Sequence, residues 1–154
     1  MAHYISYQSY NISTLSFMAG TVTSLSGDDV KLSERLFIPG RNLRGFERGK
    51  VGPKDKSDFV GGNYMSTINM TSSIPKILEN VESLDISIFL DAANVWGIDY
   101  DSSLNDNNSI RSSIGLGINW STPVGPLSFS FAQPLSKNET DIIEKFRFNL
   151  GTSF

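Results

Sequence analysis

The sequence predicts an all-β chain: a segment of about seven strands from an antiparallel transmembrane β-barrel. Three observations carry this. Apolar and polar residues alternate with period 2 through most of the chain after residue 62, which fits half-exposed antiparallel strands and not helices. The polar side of the alternation is mostly Gly, Ser, Asn and Thr, where a water-facing surface carries more Lys and Glu. The joints also alternate in length. Those at Asn11–Thr14, Lys76–Ser83 and Thr122–Pro126 are short or moderate, while Ser26–Gly62, Gly97–Asn108 and Ser136–Asp141 are mostly longer. Short turns at one end and long loops at the other is the pattern of outer-membrane barrels. The alternative is a soluble β-sandwich or small barrel with the apolar face inward.

Composition bounds the function. The chain has 154 residues, enough for one ordinary domain, with 39% hydrophobic and 19% charged residues. There is no cysteine, which excludes a disulfide scaffold and thiolate zinc sites. A net charge of −3 and a pI near 5.1 argue against a nucleic-acid partner. No apolar run is long enough for a membrane-spanning helix. Met1–Tyr10 shows no basic-then-apolar leader, so an export signal is expected upstream of this segment.

The strands follow in order. Tyr4–Asn11 is Tyr- and Ser-rich and strand-like. In Leu15–Leu25, Leu15, Phe17 and Ala19 lie on one side, with Ser16, Met18 and Gly20 on the other. Ser26–Asp29 breaks the pattern and opens the loop 26–62. Within that loop, Arg41 to Lys56 carries six cationic residues against two acidic ones, a net +4 in an acidic chain. Its Leu36-Phe37-Ile38 entry and its glycines suggest a shaped, packed loop.

After the loop the alternation is clean. In Tyr64–Ile74, Tyr64, Ile68, Met70 and Ile74 share one parity, and Thr67, Asn69 and Thr71 the other. In Leu84–Trp96, Leu84, Ile86, Ile88, Leu90 and Ala92 oppose Asp85, Ser87, Phe89 and Asp91. In Ile110–Ser121, Ile114, Leu116, Ile118 and Trp120 alternate with Arg111, Ser113, Gly115, Gly117 and Asn119. Thr122–Pro126 is a tight turn. Leu127, Phe129 and Phe131 then alternate with Ser128, Ser130 and Ala132. The last strand, Phe146–Phe154, sets Phe146, Phe148, Leu150 and Phe154 against Lys145, Arg147, Asn149 and Gly151.

A strand of about ten residues is ~33 Å long and, tilted ~45°, crosses about 23 Å, close to the apolar band of such barrels. Trp96 and Trp120 fall at opposite ends of their strands, where interfacial girdles lie. An odd strand number leaves two open edges at membrane depth, so further strands are expected to complete the wall.

Five stretches resemble the BamA-like outer-membrane assembly proteins. Arg44-Gly45-Phe46 in its long loop looks like that family's loop motif. Val60–Met65 opens the following strand, and Phe89–Trp96 looks like the family's aspartate-bearing strand. Gly125–Pro134 and Phe146–Phe154 resemble its final hairpin. The resemblance covers Leu36–Phe154, and the order and spacing of the motifs make it specific. It implies a barrel of about sixteen strands, of which this chain carries the last seven, with the first strands and the N-terminal periplasmic modules absent from it.

The resemblance implies a bacterial outer-membrane factor that inserts and folds client β-barrel proteins, without nucleotide, metal or other cofactor. Outer-membrane lipid surrounds it, and accessory lipoproteins dock on the missing modules. It implies that Arg44 folds into the lumen and pairs with Asp91, with Gly45 allowing close approach and Phe46 packing there. A guanidinium fork matches a carboxylate. Two departures are Thr71, where relatives carry a second acid, and Ala93, where a glycine is common. The resemblance further implies that Phe146, Phe148, Leu150, Gly151 and Phe154 form the recognition strand and one side of a lateral seam. A two-partner secretion or translocation-assembly relative, or a passive channel, are the alternatives.

No catalytic constellation is expected: His3 is the sole histidine. Asp99, Asp101 and Asp106 lack calcium-loop spacing and read as a solvated loop. Gly115 and Gly117 read as making room in the lumen.

Overall fold

The computed structural model describes residues 2–6, 11–74, 83–101, 104, 108–123 and 125–151. In chain order the strands are β1 (Ala2–Ser6), β2 (Ile12–Thr21), β3 (Gly45–Phe46), β4 (Lys54–Asp55), β5 (Asp58–Phe59), β6 (Tyr64–Ser73), β7 (Leu84–Trp96), β8 (Arg111–Thr122), β9 (Gly125–Ser136), β10 (Ile143–Glu144) and β11 (Phe146–Leu150). Seven of them form one antiparallel sheet in the order β1-β2-β6-β7-β8-β9-β11. β3 pairs with β10, and β4 with β5, as two small ladders outside the sheet.

Side chains alternate across the sheet with the parity expected of the sequence. One face carries Phe17, Ile68, Ile88, Leu90, Ile114, Leu116, Phe131 and Phe148 in a continuous field, each about half exposed. A field this large needs an apolar environment. The concave face carries the short polar residues, and the long loop Val22–Asn63 folds across it. The core lies there: Ile38, Leu43, Phe46 and Val51 of the loop pack on Met65, Ala93 and Val95 of the sheet. Loop-on-sheet packing, with the other sheet face bare, is not the arrangement of a sandwich.

Tyr64 and Trp96 are cross-strand partners on the bare face at the loop end, stacked at 5.8 Å and 23°. Trp120 lies at the turn end, opposite Leu84. Phe146 and Phe148 tilt against Phe131 and Phe129 at 4.9 and 5.1 Å.

Boundaries differ from the sequence reading in three places. β2 begins at Ile12, inside the expected joint, because Ser13 and Thr14 find partners in Ser72 and Thr71 and the Ile12 N–H donates to Ser73 Oγ. β1 is described over Ala2–Ser6, and residues 7–10 of the expected Tyr4–Asn11 stretch lie outside the described residues. Pro126 lies in β9, not in the turn, because its missing N–H falls on the side where only a short strand follows. β11 ends at Leu150, and Gly151 takes a left-handed backbone with φ +96°; Phe154 lies outside the described residues.

The ladder between β9 and β11 is bounded at both ends by proline. Ala132 N–H donates to Lys145 O and Gly151 N–H to Pro126 O, each at 2.8 Å. With antiparallel alternation, the even-numbered residues of β9 therefore aim their N–H groups at β11. Pro134 is the next such position beyond Ala132 and has no N–H to give. There the chain before β11 leaves β9, and β10 pairs with β3 of the loop instead.

Candidate functional site

The site is built where the loop crosses β6, β7 and β8. Arg44 sits on the concave face with its guanidinium against Asp91 of β7. Nε donates to Asp91 Oδ2 and Nη2 to Asp91 Oδ1, both at 2.7 Å. The Arg44 backbone N–H adds a third bond to Oδ2 at 3.1 Å, and Asn69 Nδ2 a fourth to Oδ1 at 2.9 Å. Asp91 is wholly buried, while 19% of the Arg44 side chain is exposed. A buried carboxylate needs such partners, because stripping it of water is costly unless donors replace the shell. Thr71 stands beside the pair and accepts from Arg44 Nη2 at 3.3 Å.

The guanidinium also lies over the Phe89 ring, 3.5 Å from its centroid. Phe89 faces Gly115 across the ladder, and a Cβ at Gly115 would come within 2.5 Å of the ring. Glycine there makes the floor low enough for the ring to lie flat beneath Arg44.

Gly45 follows with φ +93°, and a Cβ on it would meet Ala132 Cβ at 3.0 Å. The turn lowers Phe46 into the core, where it is 1% exposed. Asn42 and Asn69 brace the approach: Asn69 Nδ2 donates to Asn42 O at 2.7 Å, and Asn42 Nδ2 to Asn69 Oδ1 and Thr67 Oγ1 at 3.1 and 3.0 Å. On the turn side of the loop a polar hollow of about 770 Å³ remains, lined by Arg41, Thr71, Ser87, Asn119 and Ser130 among others.

The structure thus brings Arg44, Gly45, Phe46 and Asp91 together. Phe146, Phe148 and Leu150 lie on the bare face at the sheet edge, and Trp96 and Trp120 at its two ends, away from the loop.

Three ion pairs were not in the sequence reading. Arg111 of β8 is fully buried and holds Asp141 of the last loop, Nε to Oδ2 at 3.0 Å and Nη2 to Oδ1 at 3.3 Å. Its Nη1 donates to Asn94 Oδ1 and to Ser109 O. Arg147 of β11 pairs with Glu144 and reaches the loop backbone. Arg35 pairs with Asp99. Each arginine on a strand here shares the face of Gly, Ser and Asn, and that was the available signal: a cation on such a face needs an anion.

Asp99 is a correction. It is no free loop acid: it accepts from Val30 N–H and from Asn63 Nδ2, both at 2.9 Å, as well as from Arg35. Burial acts to raise its pKa, but these donors outweigh it and hold the carboxyl at about 2. Asp106 lies outside the described residues. No group of acids and histidines among the described residues is arranged to hold a metal.

A model of the Omp85 superfamily domain matches residues 2–154. The outer membrane protein assembly factor BamA of Neisseria meningitidis is 30% identical over 174 residues, covering 92% of this chain and 22% of that protein. A SAM50-like protein of Schizosaccharomyces pombe is 30% identical over 149 residues, covering 92% of this chain and 31% of its own length. The crystal structure of BamA from Haemophilus ducreyi lacking POTRA domains 1–3 superposes with a TM-score of 0.86 at 29% identity, over 96% of this chain and 32% of that one. The chain therefore spans less than a third of the length of these relatives.

Proposed function

The chain belongs to the Omp85 superfamily, and from that membership we propose that it forms the C-terminal part of the barrel of a β-barrel assembly factor in the bacterial outer membrane. The observation that carries the reading is the tether of Arg44 to Asp91, inside a sheet whose other face is bare apolar surface. That surface would sit in lipid, with Trp96 and Trp120 at the two interfaces.

In this reading the clients are other β-barrel proteins. They would be received at a lateral seam along β11, whose outer edge lacks a partner among the described strands. An unpaired edge can accept an incoming strand by β-augmentation. The other edge, β1, needs neighbours for the same reason, since unpaired backbone is costly at membrane depth. Those neighbours, and periplasmic modules to receive accessory lipoproteins, would come from chain outside these residues. The work is templating and local disturbance of the bilayer, and it calls on no covalent step.

The test is reconstitution. Full-length protein in liposomes is offered an unfolded barrel client, and the folded, heat-modifiable form is timed. Folding faster than in empty liposomes, slowed by Arg44→Ala, is expected. Ion conductance without any acceleration of client folding would make the protein a passive channel.

A further inference from the structure

Arg147 stands on β11 with its side chain turned to the concave face and 16% exposed. Its guanidinium holds two carbonyls of the long loop: Nη1 donates to Gly40 O at 2.6 Å and Nη2 to Phe46 O at 2.7 Å. These carbonyls bracket the segment that carries Arg44. Nε and Nη2 also donate to Glu144 Oε2, at 2.8 and 2.5 Å. The carboxylate aims the fork and the fork spans the two carbonyls. A lysine ammonium has no such fixed geometry.

The backbone joins the same two elements. Ile143 and Glu144 pair with Phe46 and Gly45. Glu47 N–H donates to Ile142 O at 2.9 Å, and Ile142 N–H to Lys50 O at 3.1 Å. Residues 142–144 are zipped to the loop because Pro134 offers them no donor on β9.

We propose that Arg147 is a positioning residue that makes the seating of the loop and the closure of the terminal strand one equilibrium. The loop is fastened to β7 through Asp91 and to β11 through Arg147. The terminal strand leaves its place as the loop lifts, and the loop lifts as the strand leaves. Coupling of this kind is reciprocal: the seated loop favours the closed strand by the same factor as the closed strand favours the seated loop, so loosening the loop at β7 also loosens β11. This goes beyond the assembly reading and is a property of the barrel whatever the barrel does.

Gly40 provides an independent handle. A Cβ there would lie 2.8 Å from Arg147 Nη1, and Gly40 is not among the glycines with positive φ. Gly40→Ala therefore displaces the guanidinium while leaving Arg147 in the chain.

The experiment is amide hydrogen exchange on the full-length protein in lipid, following peptides over 36–50 and 142–151, with β2 as internal reference. Arg147→Gln and Gly40→Ala are expected to speed exchange in both peptides together, by at least about five-fold, with the reference unchanged. Arg147→Lys should fall between. The deciding variant is Asp91→Asn, which touches neither β10 nor β11: it is expected to speed exchange over 142–151 as well as over the loop. Unchanged exchange over 142–151 in Asp91→Asn overturns the proposal, as does a Gly40→Ala effect confined to the loop. If Arg147→Gln does not fold, Gly40→Ala and Asp91→Asn decide alone.

Discussion

The Asp91 carboxylate holds Arg44 by two different parts of the residue: it accepts the backbone N–H at 3.1 Å as well as two guanidinium N–H groups at 2.7 Å. The loop is thus fixed in height by the main chain and in direction by the side chain. A lysine at 44 would keep the first bond and lose the paired geometry of the second.

Breaking this tether by Arg44→Ala or Asp91→Ala is expected to loosen the loop by up to ~3–5 kcal/mol, less where the hollow admits water. The double variant Arg44→Met with Asp91→Leu should lose less than the two single changes together, because it leaves no unpaired charge. Limited proteolysis of the loop in lipid reads the effect. Cleavage at the wild-type rate in both single variants would remove the tether from the account.

Thr71→Val tests how much the neutral neighbour contributes. Nη2 keeps its bond to Asp91 and loses only the 3.3 Å contact to the hydroxyl. A cost of about 1 kcal/mol or less is expected, seen as a small rise in loop cleavage. A loss as large as that of Arg44→Ala would mean that Asp91 alone does not hold the arginine.

Arg111 and Asp141 form the most enclosed charge pair described, both side chains at 0% exposure. Asp141→Ala strands a buried guanidinium and is expected to cost about 3–5 kcal/mol, while also freeing Asn138 N–H, which Asp141 accepts at 2.7 Å. Heat-modifiability on gels, read as the temperature at which the folded band is lost, should fall clearly. Asp141→Asn should fall less.

Asp99 gives a pH dependence. Its folded pKa, about 2, lies below the ordinary carboxylate value of about 3.9. The stabilisation it brings is complete above that ordinary value and is lost as pH falls from about 4 toward 2, up to about 2 kcal/mol. Exchange or proteolysis of residues 28–37 should rise across that window in wild type. In Asp99→Asn the segment should be looser at pH 7 and respond little to acid. An equal acid response in both proteins would assign the effect elsewhere.

The parity of β7 was legible in the sequence, and with it the placement of Asp91 on the small-residue face. That Arg44 meets it came from the loop motif, since 47 residues separate the partners and no local pattern spans such a gap. Arg147 was placed on the correct face but without partners, because the carbonyls it grips lie up to 107 residues earlier in a loop with no periodicity. Asp99 was misread for the same reason: its arginine comes 64 residues before it. Pro134 entered the sequence reading only as part of the final hairpin. Its effect depends on which side its missing N–H faces, and that is a matter of register.

Pro134 of β9 also restricts where the last strand can settle. An antiparallel strand slides in steps of two if its apolar stripe is to stay outward. One step toward the loop end would set the Lys145 carbonyl, which now accepts from Ala132 N–H, opposite the ring of Pro134, with no hydrogen to offer. Near the hydrocarbon an unanswered carbonyl is expensive. Pro134 therefore acts as a stop on a slide, and the last described strand is kept from settling one step further along the wall.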